Sequence, residues 1–332
     1  FWALLAIQVI GPAGIGAFHP PAAAAVGHLG ARKRSKWMGA FFVAGMIGGI
    51  LGNVFSPQFV GICGNPDSDF YLGLEGPRVL VYLLIPGTIA VLIVAKALHD
   101  APHRAHDAHA SRAAWSARER RDRWTAVWLL YFGNVLRFTV NMALVYLVVS
   151  WSRRFVAAQA GKTSFDDRLD PTLGQFASEL NGPMQAAMQL GMGGMGLAAG
   201  VLIGLRHEKI ALIALPLFGA GAIACFPLSD RLGSDAALLA FPLTALAGVG
   251  FGGMIPVTMA IAQRLLPHRT GLASGLMLGG AWCFAGVGPL IAERIEHGMG
   301  FSVAMWVTAG ALACSAVLSA LVSGSVLRAS AR

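Results

Sequence analysis

Nine apolar runs, each long enough to cross a bilayer, dominate this 332-residue chain, and one basic stretch from Leu98 to Arg123 splits them three and six. The runs lie near residues 1–26, 37–57, 79–98, 124–150, 183–204, 209–228, 236–263, 271–292 and 301–326. A helix rises ~1.5 Å per residue, so roughly 20 apolar residues cover a ~30 Å hydrocarbon core. Lipid offers no partner to exposed backbone N–H and C=O groups, which leaves helices or closed barrels as the spanning structures. Barrel strands are ~10 residues long with strict alternation. These runs are about twice that length and do not alternate, so the expected fold is an all-α integral membrane protein.

Composition agrees. Charged residues make up 12% of the chain and the mean hydropathy is +0.64. A soluble protein carries roughly 25% charged residues. The net charge of +9 invites a nucleic-acid reading, but the placement of the charges argues for topology instead. With Phe1 outside, the connections assigned to the inside hold seventeen Lys and Arg against five Asp and Glu, and the outer side holds seven against eleven. That is a positive-inside pattern. It puts the 99–123 loop and the C-terminus in the cytoplasm, and no nucleic-acid partner is expected. Phe1 stands inside an apolar run with no initiator Met and no charged lead-in, so the chain is expected to begin mid-protein.

An internal repeat refines this. At an offset of 236 residues, Gly14 meets Gly250, Gly16 meets Gly252, Pro20 meets Pro256, Ala24 meets Ala260, Leu29 meets Leu265, Gly39 meets Gly275 and Gly52 meets Gly288. In both copies a Gly-rich span ends near a proline, a short basic loop follows and a second Gly-rich span begins. Biased composition is the competing explanation for so modest a match. Taken as a repeat, residues 1–98 pair with 236–330, and the three spans in 124–228 lack a counterpart. Parallel halves with nested three-span repeats are a transporter layout.

The stretch Ile255–Pro289, IPVTMAIAQRLLPHRTGLASGLMLGGAWCFAGVGP, resembles spans ten and eleven of bacterial drug-efflux members of the major facilitator superfamily, with the fosmidomycin resistance proteins as the nearest likeness. Gly14–Pro20, ending in Ala17-Phe18-His19-Pro20, is similar to the end of their fourth span. The resemblance implies a 12-helix fold of six plus six. Residues 1–98 would then hold spans four to six of the N-terminal half, 99–123 the central cytoplasmic loop, and 124–332 the C-terminal half. The counterpart of the family's Gly/Asp/Arg-rich signature would be Gly204–Lys209, which is degenerate. The fifth-span pattern of the antiporters is met only loosely by Gly39, Gly45, Gly48, Gly49 and Gly52, followed by Asn53. The outer connection 151–182 is longer than the likeness explains.

Arg137 is the most pointed residue. It stands mid-run in 124–150, where a charge costs ~2.5–3.5 kcal/mol on insertion scales. Asn134 and Asn141 lie three before and four after it, on one helical face. The resemblance places that span against a central cavity, so the three residues are candidates for binding an anionic group of a substrate; a structural tie between helices is the competing reading. Spans free of central Asp or Glu mean that a coupling carboxylate lies in the spans expected before Phe1 or that His19 serves as the proton-coupling group, with a structural role at the helix end as the alternative for His19. His99, His103, His106 and His109 share a helical spacing, but Pro102 interrupts it, so the reading is a solvated linker and no metal. The small residues Gly45, Gly49, Gly52, Gly196 and Gly200 suit close helix packing or rocking, and Pro20 and Pro256 suit kinks. Cys63, Cys225, Cys283 and Cys314 form no CxxC pair and read as small apolar core residues.

The expected function is secondary active transport of a small solute by alternating access, with efflux of drug-like or anionic compounds coupled to an ion gradient, which the resemblance implies is one of protons, and metabolite uptake as the alternative. A polytopic membrane enzyme is the alternative of another class; such enzymes carry His, Asp or Glu clusters near a membrane face, and the spans show none, so the chain is read as no enzyme. No cofactor is expected. The partners are the substrate, the coupling ion and lipid. The protein would act as a monomer in a bacterial inner membrane, and these 332 residues alone would be inactive.

Overall fold

The structure is a computed structural model that describes residues 18–19, 22–23, 26, 34–99, 115–162, 171–204 and 207–330. Every regular element among them is helical. In chain order they are α1 (Arg34–Cys63), a 3₁₀ segment (Gly76–Leu83), α2 (Leu84–His99), α3 (Ala117–Gln159), α4 (Pro171–Leu202), α5 (Glu208–Cys225), a 3₁₀ turn (Phe226–Asp235), α6 (Ala236–Gly252) and α7 (Ile255–Leu265). Then come α8, the stretch Pro267–Met299, α9 (Phe301–Leu321) and the short α10 (Gly324–Ala329). Within α8, Gly275–Gly280 forms a π-helical turn.

Six stretches among the described residues are long and apolar enough to cross a membrane: Lys36–Cys63, Gly76–Lys96, Ala117–Gln159, Glu208–Leu265, Pro267–Met299 and Phe301–Leu321. The molecule is thus all-α and consistent with a membrane protein. The difference from the nine expected runs has three sources. The run at 1–26 lies largely outside the described residues. The runs at 209–228 and 236–263 follow one another through the 3₁₀ turn and count as one stretch. The helix α4 is 32 residues long, yet Gln175, Glu179, Asn181, Gln185 and Gln189 interrupt its apolar sequence, and it is not among the six.

The stretch Glu208–Leu265 nevertheless folds back on itself. Gly233, with φ of 55°, takes a left-handed conformation inside the turn, which glycine adopts without steric cost. Beyond it α6 returns along α5, and a Cβ at Gly219 would lie 2.6 Å from the Cα of Gly250. Only glycines on both legs allow that approach.

The element α3 is the centre of the molecule. Its first turn is fixed by a reciprocal capping box. The Glu119 backbone N–H donates to Ser116 Oγ at 3.2 Å, and the Ser116 N–H donates to Glu119 Oε2 at 2.9 Å. Such boxes satisfy two of the free N–H groups at a helix start. The 43 residues of α3 span about 65 Å at ~1.5 Å each. Helix therefore replaces much of what the sequence reads as connection. It enters the 99–123 loop at Ala117 and the 151–182 connection as far as Gln159, while α4 starts at Pro171. Polar residues do not forbid helix here, because they pair along it: Gln175 Nε2 donates to Glu179 Oε1 at 2.8 Å, one turn on.

Around α3 pack α4, α8 and α9, with α5 and α6 closing the bundle. Glycines set the closest approaches. A Cβ at Gly191 would overlap the carbonyl of Ala245, one at Gly248 the carbonyl of Met188, and one at Gly288 the carbonyl of Thr139. Two apolar cores result. One joins α3, α7 and α8 around Leu130, Phe138, Met259 and Met277. The other joins α3, α4, α5, α6 and α9 around Leu147, Trp151, Met188 and Phe251.

The helix α1 lies outside this bundle and docks on α4 and α7. It runs antiparallel to α4: Gly39 approaches Gly196, Met46 approaches Gly193, Gly49 approaches Gln189, Asn53 approaches Gly182 and Gly61 approaches Gln175. Apart from that seam α1 is open, with Trp37, Ile47, Leu51, Phe55 and Ile62 exposed. The helix α2 packs only through the preceding 3₁₀ segment and exposes Ile85, Ile89, Val91, Leu92 and Ile93. Broad apolar exposure of this kind suits a lipid surround rather than water.

Candidate functional site

The polar face of α3 is fully enclosed. Arg137 and Asn134 are 0% exposed and Asn141 is 5% exposed. Their spacing brings them to one side of the helix, as the sequence requires, and the neighbouring helices supply partners from far along the chain. Arg137 donates from Nη1 to Asn134 Oδ1 at 2.9 Å and from Nη2 to Ser319 Oγ on α9 at 2.8 Å. Asn134 Nδ2 in turn donates to Thr258 Oγ1 on α7 at 3.0 Å and to the carbonyl of Met277 on α8 at 3.2 Å. Ser319 Oγ passes its own hydrogen to the carbonyl of Ser315 at 2.9 Å. A Cβ at Gly133 would stand in ordinary contact with the guanidinium, 3.5 Å from Nη1.

Four helices are thus tied at one level by Arg137 and Asn134 together. No carboxylate among the described residues is bonded to Arg137, and its Nε has no partner. A buried guanidinium with incomplete hydrogen bonding is costly, so the surrounding hydroxyl and amide dipoles have to hold it. Sequence reasoning finds Arg137 and Asn134 but not Thr258 or Ser319, which look like ordinary small helix residues.

Two further ties lie near the bundle's ends. At the end that carries Ser116, Arg264 of α7 donates from Nη2 to Glu208 Oε2 of α5 at 2.6 Å, and Glu208 is only 2% exposed. Beside it Gln263 Nε2 donates to Ser274 Oγ at 2.8 Å. Of the Arg264–Glu208 pair, Glu208 falls in the stretch Gly204–Lys209 that the sequence shows as degenerate. Its signal is a lone carboxylate, Glu208, among the basic residues of two short connections. At the opposite end, Arg154 reaches Asp230 at 3.4 Å and Glu296 at 3.8 Å and stands 4.3 Å over the ring of Phe301. Trp151 Nε1 donates to Asp230 Oδ1 at 2.7 Å, and Ser150 donates to Glu296 Oε1.

The second candidate site is a cavity of 420 Å³ in the seam between α1 and α4. Asn53 and Ser56 line it from α1, and Ser178, Asn181 and Gln189 from α4, with Gly49, Gly52, Pro57 and Gly182 completing the walls. On α4, Ser178, Gly182, Gln185 and Gln189 are spaced four, three and four apart, which sets them on one face. Gln185 turns toward α3 and donates to the carbonyl of Val145 at 3.1 Å. Gln189 turns toward α1, where its Oε1 is buried and has no partner.

The remaining sequence candidates fall as follows. His19 lies between the rings of Phe18 and Phe41, with centroids at 5.8 and 6.2 Å. Gly196 contacts Phe42 and the ring of Pro256. Gly49 sits against Gln189, whereas a methyl group at Gly45, Gly48 or Gly52 would meet nothing within 4 Å. Close packing on α1 therefore falls at Gly39 and Gly49, with Gly61 against Gln175 further along, because these glycines face α4. Gly200 is partly buried on α4. Pro20 and the histidines His103, His106 and His109 lie outside the described residues, and no cluster of three potential metal ligands occurs among the described ones. The four cysteines are unpaired; Cys225, Cys283 and Cys314 are exposed on the bundle surface rather than in its core.

No protein-family model matches the chain, and no curated protein matches it.

Proposed function

We propose that this chain works as a secondary active transporter of small solutes in a bacterial inner membrane, by alternating access in the manner of the major facilitator fold. The observation that carries the reading is the seam between α1 and α4: two antiparallel helices from opposite sides of the 99–123 stretch, joined by glycines and bordering an open polar cavity. Alternating access requires two bodies that rock about a site near the midplane. The bundle around α3 has the ties a rigid body needs, at both ends and at Arg137. The contacts of α1 on α4 are of another kind, glycines, methionine and amides, which slide at low cost.

Within this reading Arg137 holds α3 to α9 in the conformation described here. For it to meet an anionic solute instead, its bonds to Asn134 and Ser319 have to break. Efflux of drug-like or anionic compounds, proton coupling with His19 as the titrating group, a monomeric state, and a cytoplasmic 99–123 loop and C-terminus belong to the same proposal. The positive-inside charge pattern supports the orientation.

The test is reconstitution of the full-length product of the gene in proteoliposomes. A carrier accumulates solute against its gradient when an ion gradient is imposed, and loses that accumulation with an ionophore. Chemical turnover of a compound without its movement would instead identify an enzyme.

A further inference from the structure

We infer that the cavity between α1 and α4 binds an uncharged polyhydroxylated solute, of monosaccharide to disaccharide size; as the cargo of a transporter this rests on the carrier reading, while the binding itself does not. Four observations point there.

The first is the lining. Asn53, Ser56, Ser178, Asn181 and Gln189 supply amides and hydroxyls, and no Lys, Arg, Asp, Glu or His lines the cavity among the described residues. Amides and hydroxyls both donate and accept, which matches a ligand whose groups are hydroxyls. An ionised ligand would leave water without meeting an opposite charge, an arrangement that proteins avoid.

The second is an acceptor without a donor. Gln189 Oε1 is buried and unpartnered, although buried side-chain oxygens are as a rule hydrogen-bonded. It packs against Gly49 across the seam, so a ligand hydroxyl can supply the missing donor once α1 shifts from it.

The third lies in the backbone. Pro57 in α1 and Pro183 in α4 have no N–H, so the carbonyls of Asn53 and Glu179, four residues earlier, lack their helical donors. Both prolines fall at the level of the cavity, on the two helices that form it. Carbonyls freed in this way are tolerated where they line a cavity, and here they accompany one.

The fourth is space. The volume of 420 Å³ lies within the ~300–1,000 Å³ typical of small-molecule sites. Glycine sets how closely its two walls approach: a Cβ at Gly49 would overlap the Gln189 amide, and one at Gly182 would overlap the carbonyl of Asn53. A single methyl at either position thus displaces a wall of the site.

The experiment measures thermal stabilisation of the purified full-length protein in detergent, which reads binding without transport. The probes are a panel of neutral polyols and sugars from glycerol to disaccharides, together with carboxylate, phosphate and amine derivatives of the same skeletons. The expected result is that at least one neutral member raises the melting temperature while its charged derivatives do not. Gln189→Ala should weaken that ligand at least tenfold, and so should Ser178→Ala, whose exposed position makes it safe for folding. The proposal is overturned if no neutral member binds, if a charged derivative binds in preference, or if both variants bind as the parent does. Failure of the carrier reading looks different: the neutral ligand binds, yet proteoliposomes show no gradient-driven accumulation of it.

Discussion

Arg137 concentrates the chemistry of the bundle at one residue. It is an arginine in a span, fully buried, joined to Asn134 and Ser319. Lysine keeps the charge but has no planar fork, so Arg137→Lys can reach one of those partners at a time. We expect a stability loss of about 1–2 kcal/mol from the missing hydrogen bond, read as a lower melting temperature. Arg137→Ala also leaves a void and should cost about 2–4 kcal/mol. If Arg137 binds an anionic cargo, Arg137→Lys weakens that cargo beyond what the melting temperature explains; if it is a tie alone, solute affinity stays unchanged. The sequence made half of this arrangement legible. The three-and-four spacing of Asn134, Arg137 and Asn141 fixes one face of α3 whatever the tertiary structure. The partners were not legible, because Thr258 and Ser319 stand 124 and 182 residues from the residues they bond, and a small hydroxyl residue in an apolar span has no signature of its role.

At the scale of elements, glycines decide which helices touch. Gly248→Ala places a methyl against the backbone carbonyl of Met188, and backbone cannot rotate away as a side chain can. Prising α4 from α6 should cost about 1–3 kcal/mol. Gly45→Ala meets nothing within 4 Å and should be neutral or stabilising by up to about 1 kcal/mol, since alanine favours helix over glycine. Comparing the two variants by thermal unfolding checks the seam assignment. Pro57→Ala restores an N–H for the carbonyl of Asn53 and should stiffen α1; transport is expected to slow with stability held or raised. Helix positions were broadly legible from apolar runs, and helix ends were not. Hydropathy stops at a polar residue, whereas the capping box at Ser116 and the Gln175–Glu179 pair carry α3 and α4 well past the apolar segment. The cavity escaped for the same reason: its α4 wall includes Ser178 and Asn181, inside a stretch that reads as a polar connection.

At the scale of the whole molecule, the bundle from α3 to α9 and the helix α1 meet along one antiparallel line. The ion pair of Glu208 with Arg264 clamps α5 to α7 at one end of that bundle. Glu208→Gln leaves the Arg264 charge half-buried without its partner and should cost about 3–5 kcal/mol, while the double variant Glu208→Arg, Arg264→Glu should recover part of that loss, measured as a double-mutant cycle. The seam with α1 is the place where the account requires motion. Its most direct test is a pair of spin labels at Gln58→Cys on α1 and Phe176→Cys on α4, both exposed positions, with the four native cysteines replaced by serine. Distances are recorded by pulsed electron resonance on the full-length protein in nanodiscs, across a pH series and with bound ligand. Alternating access predicts two distance populations whose ratio changes with pH or ligand. A single narrow distance under all conditions would contradict it.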